Sequence, residues 1–195
     1  MPDYKCPQLD NQHFADKIAL RAAILDEAKF EEVNVLDLFA GAGHIWTEMG
    51  KKFKLTSYLP VDIKPRLPGT LKLDVNALTV QSFRPENFNV IDMDCYDSKA
   101  FELLPHFLNG TKPMAVFLTY GSVDPHTLSR FLAQAVGMPA AWRTEFYNAQ
   151  LCFFCGEQFL RQQFTPRFKS VKRLKYPNVH GGERVRYYGV LLGGK

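Results

Sequence analysis

The sequence predicts a single-domain α/β fold: a seven-stranded, mostly parallel sheet with helices on both faces and a C-terminal antiparallel hairpin. Three observations predict it. Strand-like and helix-like segments alternate from residue 33 to about residue 136, and such alternation calls for crossovers that lay parallel strands side by side under helices. The first strand runs into "LDLFAGAGHIW" (36–46), where an apolar run ends in a carboxylate and then two glycines one residue apart. The last two strands are separated by only the Gly-rich "PNVHGGE", too short for a crossover, so they pair as a hairpin.

The elements follow in order. Phe14, Ile18, Ala22 and Leu25 recur every three or four residues, so 12–29 is a leading helix. "VNVLDLF" (33–39) is a buried strand and "GHIWTEMGKK" (43–52) a helix. Strands are expected at 55–63, 69–74, 88–94 and 113–120, and a weak helix at 75–83. Helices are expected at 99–108 (bent near Pro105), 125–136 and about 145–163, then strands at 168–176 and 184–194. No repeat or linker divides the chain, so residues 1–195 form one domain with 1–32 as an N-terminal helical extension.

Composition narrows the function classes. The longest apolar runs are short and broken by charges, which excludes a membrane-spanning helix. The start "MPDYKCPQLDN" lacks an apolar signal core, so a cytoplasmic location is expected. Four cysteines, Cys6, Cys95, Cys152 and Cys155, are too sparse for a disulfide framework. The C-x-x-C of Cys152 and Cys155 has no second pair to complete a zinc site and lies in a helix-like segment, so both are expected as buried thiols, and no metal is expected. Residues 1–138 carry 14 Lys/Arg against 17 Asp/Glu, whereas residues 139–195 carry 10 against 3. Basic residues interleaved with aromatics in "RFKSVKRLKYP" and "GGERVRYYG" suit a nucleic-acid partner; the alternative is a solvated strand face.

The glycine turn is the strongest functional signal. In an open α/β sheet, ligands bind past the carboxyl ends of the strands, beside the first one. Gly41 and Gly43 lie there, able to take positive φ and to let a ligand approach the backbone. Trp46 stands where a dinucleotide fingerprint has its third glycine, and Asp37 stands where a pyrophosphate would meet a carboxylate. A ligand with a cation near Asp37 and a carboxylate near the following helix start fits better, and an amino acid has both. Asp62 ends the second strand, where ribose hydroxyls are bound, and Asp74 ends the third, where an adenine amino group can donate. The alternative is that these two acids cap turns. Amino acid, ribose and adenine together describe S-adenosylmethionine.

"VLDLFAGAG" (35–43) resembles motif I of the class I S-adenosylmethionine-dependent methyltransferases, "PVDIKP" (60–65) their second motif, and "LKLDV" (71–75) their adenine-contacting segment. The resemblance covers about residues 33–120. It implies a Rossmann-like fold, S-adenosylmethionine as cofactor, and cofactor contacts from Asp37, Phe39, Gly41, Gly43, Asp62, Ile63, Asp74 and Val75. It leaves the methyl acceptor open.

The loop after the fourth strand bears on the acceptor. "DCYDSK" (94–99) is similar to the D-P-Y-G-S-P of tRNA guanine-N2 methyltransferases, with Cys95, Asp97 and Lys99 departing from that pattern. The resemblance implies methylation of an exocyclic amino group of a nucleic-acid base. Asp94 would accept the amine N–H and Tyr96 would stack on the base. In the alternative, Asp94 caps the next helix and Tyr96 packs. Cys95 raises a rival, covalent attack on a pyrimidine ring, which the neighbouring carboxylates disfavour by opposing a thiolate. His44, Tyr120 and His180 are further candidates near the site, and Trp46 is expected to pack. A non-catalytic binding module and a methyltransferase acting on a small molecule or protein are the competing classes.

Overall fold

The computed structural model describes residues 13–75, 85–95, 99–107, 112–121, 130–138, 149–164, 168–177 and 183–193. The chain runs α1 (Phe14–Ala28), β1 (Val33–Asp37), α2 (His44–Met49), β2 (Leu55–Asp62), β3 (Leu71–Lys72), β4 (Val90–Met93), α3 (Lys99–Phe107), β5 (Met114–Gly121), α4 (Arg130–Ala135), α5 (Ala149–Phe164), β6 (Phe168–Pro177) and β7 (Glu183–Leu192). The expected helix at 75–83 falls almost entirely outside the described residues.

The strands lie in the order β3-β2-β1-β4-β5-β7-β6, with β3 adding a two-residue edge. β1 pairs in parallel with β2 and β4, and β4 with β5. β7 runs antiparallel to both β5 and β6. The α/β architecture, the mostly parallel sheet and the antiparallel C-terminal pair are as the sequence predicts. The chain steps outward from β1 to β3 and then returns to the other side of β1 with β4. That reversal opens a crevice between the carboxyl ends of β1 and β4.

Side chains alternate between the two faces of the sheet. Leu36, Ile91, Met93, Val116, Leu118 and Tyr120 face a core built with Phe101, Leu104, Leu132, Phe153 and Phe159 of α3, α4 and α5. Val33, Val35, Val90, Ala115 and Phe117 face the other way, under α1 and α2 with Ile24, Leu25, Trp46 and Met49. On this second face the next inward positions toward the carboxyl ends are Asp37 on β1, Asp92 on β4 and Thr119 on β5. The strand bottoms are apolar and their rim is polar.

α1 buries a different stripe from the one its apolar spacing suggests. Lys17, Leu20, Arg21, Ile24 and Leu25 are buried, whereas Phe14, Ile18 and Ala22 are half-exposed. The i, i+4, i+7 spacing is helical in both cases, but the buried stripe contains two cations, which apolar periodicity discounts. Gly189 of β7 admits this helix closely: a Cβ there would lie 2.7 Å from Ile24 Cγ1.

Candidate active site

The β1–β4 register sets Asp37 directly beside Asp92, and Asp94 follows two residues on. Like charges side by side on a sheet are unfavourable unless cations answer them, and α1 supplies two. Arg21 Nε and Nη2 each donate to Asp92 at 2.8 Å, a bidentate pair with both side chains almost wholly buried. Trp46 Nε1 donates to the same Asp92 Oδ2 at 2.8 Å. One turn earlier, Lys17 Nζ donates to Asp94 Oδ2 at 2.6 Å and lies 4.9 Å from the ring centre of Tyr187. Thr119 Oγ1 donates to Asp94 Oδ1.

The acids consequently differ in state. Burial by itself would raise the Asp94 carboxyl, but Lys17 and Arg21, with hydrogen bonds from Lys17 and Thr119, hold it below the usual carboxylate range. Asp37 goes the other way. Burial first and the charge of Asp92 second push it well above that range, against a hydrogen bond donated by Tyr58 Oη at 2.9 Å. Asp37 has no ion-pair partner among the described residues. Burial and the adjacent Asp37 raise the Tyr58 phenol in turn.

The turn between β1 and α2 has the conformation its glycines permit. Gly41 takes φ 53° and Gly43 φ 69°. A Cβ on Gly43 would also lie 2.6 Å from Leu67 Cδ2, the movable end of a half-buried side chain, so it is the positive φ that calls for glycine here. Asp62 braces the turn: its Oδ2 accepts from Gly41 N at 2.9 Å and its Oδ1 from Lys64 N at 2.7 Å. The cap expected as the alternative is thus present. Each carboxylate oxygen retains capacity for a second donor.

A cleft opens here, lined by Lys17, Asp37, Phe39, the Gly41–Gly43 turn, Asp92 and Asp94, among others, with a volume of about 60 Å³. Of the residues singled out in the sequence, Asp37, Phe39, Gly41, Gly43, His44 and Asp94 meet at this cleft. Asp62 adjoins it through Gly41. Ile63 and Leu71 lie beyond on the open side, 58% and 43% exposed, with Asp74 also exposed. Val75 does not join them: it is buried in the core under the opposite face. Tyr120 is likewise turned away, with its ring edge-on to Phe101 and Phe153, because it sits one residue past the inward-facing Thr119. Trp46 packs as expected, 6.2 Å from Phe117, and is also a hydrogen-bond donor. Cys95 is half-buried and Cys155 buried, whereas Tyr96 and His180 lie outside the described residues.

Lys17, Arg21, Tyr58, Asp92 and Thr119 were not singled out by sequence reasoning. Asp92 had a legible signal, as an acid at an inward position two residues before Asp94. The α1 cations had none, because pairing them with β4 requires the fold.

Searches against protein-family models and against curated proteins return no match. Solved structures do match. Burkholderia thailandensis 1,6-didemethyltoxoflavin-N1-methyltransferase, bound to its namesake ligand and S-adenosylhomocysteine, aligns with a TM-score of 0.53 at 15% identity, over 94% of this chain and 80% of that one. The plantazolicin methyltransferase BpumL, in complex with a desmethyl-plantazolicin analogue and S-adenosylhomocysteine, aligns at 0.52 and 11% identity over 92% and 84%. The methyltransferase domain of a bacterial CtHen1 aligns at 0.51 and 16% identity over 92% and 100%. The fold is that of the S-adenosylmethionine-dependent methyltransferases. In this methyltransferase fold the crevice between β1 and β4 is where the glycine turn, the acid row and the two α1 cations converge.

Proposed function

We propose that this protein transfers a methyl group from S-adenosylmethionine to an exocyclic amino nitrogen of a nucleic-acid base. The donor set fits the cofactor. Asp37 offers a buried carboxyl for an ammonium, the Gly41–Gly43 turn admits close approach, Asp62 retains lone pairs for ribose hydroxyls, and exposed Ile63 and Leu71 offer apolar surface beside Asp74 for adenine. When bound, the cofactor supplies an electrophilic methyl on a sulfonium.

The observation that carries the acceptor class is the state of Asp94. Lys17 and Thr119 hold it ionised and weakly basic at the cleft. Such a group removes a proton from a hydroxyl poorly. It accepts an N–H hydrogen bond well, and so orients an amine whose lone pair is delocalised into a ring. With the cofactor bound, the oriented amine would attack before losing its proton, which would then pass to solvent, so no strong base is required of this chain. The excess of basic residues after position 138 supports a polyanionic substrate.

The test is incubation with labelled cofactor and mixed RNA and DNA. Label should enter a base, and Asp94→Ala should abolish that transfer while S-adenosylhomocysteine binding persists in calorimetry. Full turnover by Asp94→Ala would reject the role. Asp62→Ala should weaken cofactor affinity. A small-molecule acceptor is the second reading, favoured by the heterocycle held by the Burkholderia enzyme; nucleic-acid binding that is absent at low salt would select it.

A further inference from the structure

We infer that the groove between the start of α1 and α2 receives the ring of the acceptor base, with Phe14 as its stacking face and Glu48 as an acceptor for one of its N–H groups. This rests on the acceptor reading above and names where that base lies.

Three observations carry it. The first is the place of Phe14, which opens the apolar row that the sequence marks on α1. Ile18, Ala22 and Ala28 of that helix pack against the core beneath it. Phe14 is half-exposed and lines an open groove with His44, Thr47 and Glu48 of α2. The groove has a volume of about 430 Å³, and ligand pockets run from roughly 300 to 1,000 Å³.

The second is continuity with the site. His44 lines both the groove and the cleft, and Asp94 lines the cleft. A ring lying in the groove therefore has its edge beside the cleft, where its amino nitrogen can be directed toward Asp94.

The third is charge. Glu48 brings a carboxylate into the groove, and none of the described residues lining it is Lys or Arg. A phosphate is disfavoured there. Thr47 Oγ1 donates to Gly43 O at 3.0 Å, which commits its one hydrogen. Glu48 Oε2 accepts from Lys51 Nζ at 2.6 Å, and a carboxylate has lone pairs for further donors. An apolar ring beside an acceptor suits a neutral heterocycle with N–H groups. A base taken out of its strand has that character: a π face, a donor edge, and phosphates left outside the groove.

The experiment measures kcat/KM for nucleic acid with labelled S-adenosylmethionine and the mixed RNA and DNA, beside the dissociation constant of S-adenosylhomocysteine. Phe14→Leu keeps apolar bulk and removes the ring. Its kcat/KM should fall about 5- to 100-fold, the range of base–aromatic stacking. Its S-adenosylhomocysteine dissociation constant should stay within about twofold of the wild type. Phe14→Tyr should recover most of the loss. Glu48→Ala should lower kcat/KM by about threefold or more. Undiminished kcat/KM in Phe14→Leu or in Glu48→Ala, or a matching loss of S-adenosylhomocysteine affinity, overturns the inference. Should Phe14→Leu not fold, Glu48→Ala decides alone. A wild-type protein that binds S-adenosylhomocysteine but labels only a free amino heterocycle such as adenine, or nothing, overturns the acceptor reading itself and the base assignment with it.

Discussion

Trp46 Nε1 and Arg21 Nε both donate to Oδ2 of Asp92, each at 2.8 Å. One carboxylate at the end of β4 thereby fastens α2 and α1 to the sheet. The indole stands where a dinucleotide-binding turn would place its third glycine, and here the position is spent on a buried donor.

Trp46→Phe keeps an aromatic ring against Phe117 and deletes that donor. Hydrogen bonds to charged groups make this a loss of about 1.5–3 kcal/mol, read by urea unfolding. An unchanged midpoint would mean that the bond contributes nothing.

Arg21→Met removes one partner of the buried pair and leaves Asp92 without its cation. The expected cost is about 3–5 kcal/mol in the same assay. The exposed pair Lys52–Asp26 is the control: Lys52→Met should change stability by less than about 1 kcal/mol.

Asp37→Asn should separate stability from binding. Burial and Asp92 raise the Asp37 carboxyl above its unfolded value, so its contribution to stability is present at acidic pH and lost as pH rises through the folded value. The amide has no charge to bury, so the variant should melt at or above the wild-type temperature at neutral pH. A cationic ligand favours the ionised acid. Wild-type affinity for S-adenosylmethionine should therefore rise with pH, with proton release on binding, until the free-state value is passed. Calorimetry in buffers of different ionisation heat should show that release in the wild type and its loss in Asp37→Asn.

Asp94 has the opposite sign. Its carboxyl lies below the unfolded value, so its contribution is present above the unfolded value and lost as pH falls through the folded one. Acid unfolding monitored in Lys17→Met should begin at higher pH than in the wild type. Coincident acid transitions would show that the Lys17–Asp94 pair contributes no stability.

Gly189→Ala places a methyl 2.7 Å from Ile24 Cγ1 and 3.3 Å from Leu20. The overpacking should cost about 1–3 kcal/mol and weaken cofactor binding too, because α1 carries Lys17 into the cleft. Wild-type stability and affinity together would mean that α1 shifts without consequence.

Local pattern was enough for much of this molecule. Branched apolar runs marked β1, β4 and β5, the close spacing of β6 and β7 required an antiparallel pair, and Gly41 and Gly43 after Asp37 marked the ligand turn, because backbone conformation and hydrophobic period are written into neighbouring residues. What surrounds the turn was settled by packing. Tyr120 went to the opposite core because a strand sends each successive side chain to the other face, and Val75 packs into that core from the segment after β3. Asp92 became the anchor of two helices, and Lys17 and Arg21 entered the site, because α1 lies across β4, β5 and β7 and turns its charged stripe inward. Ion pairs between residues more than seventy positions apart depend on where a helix docks, and no feature within either segment records it.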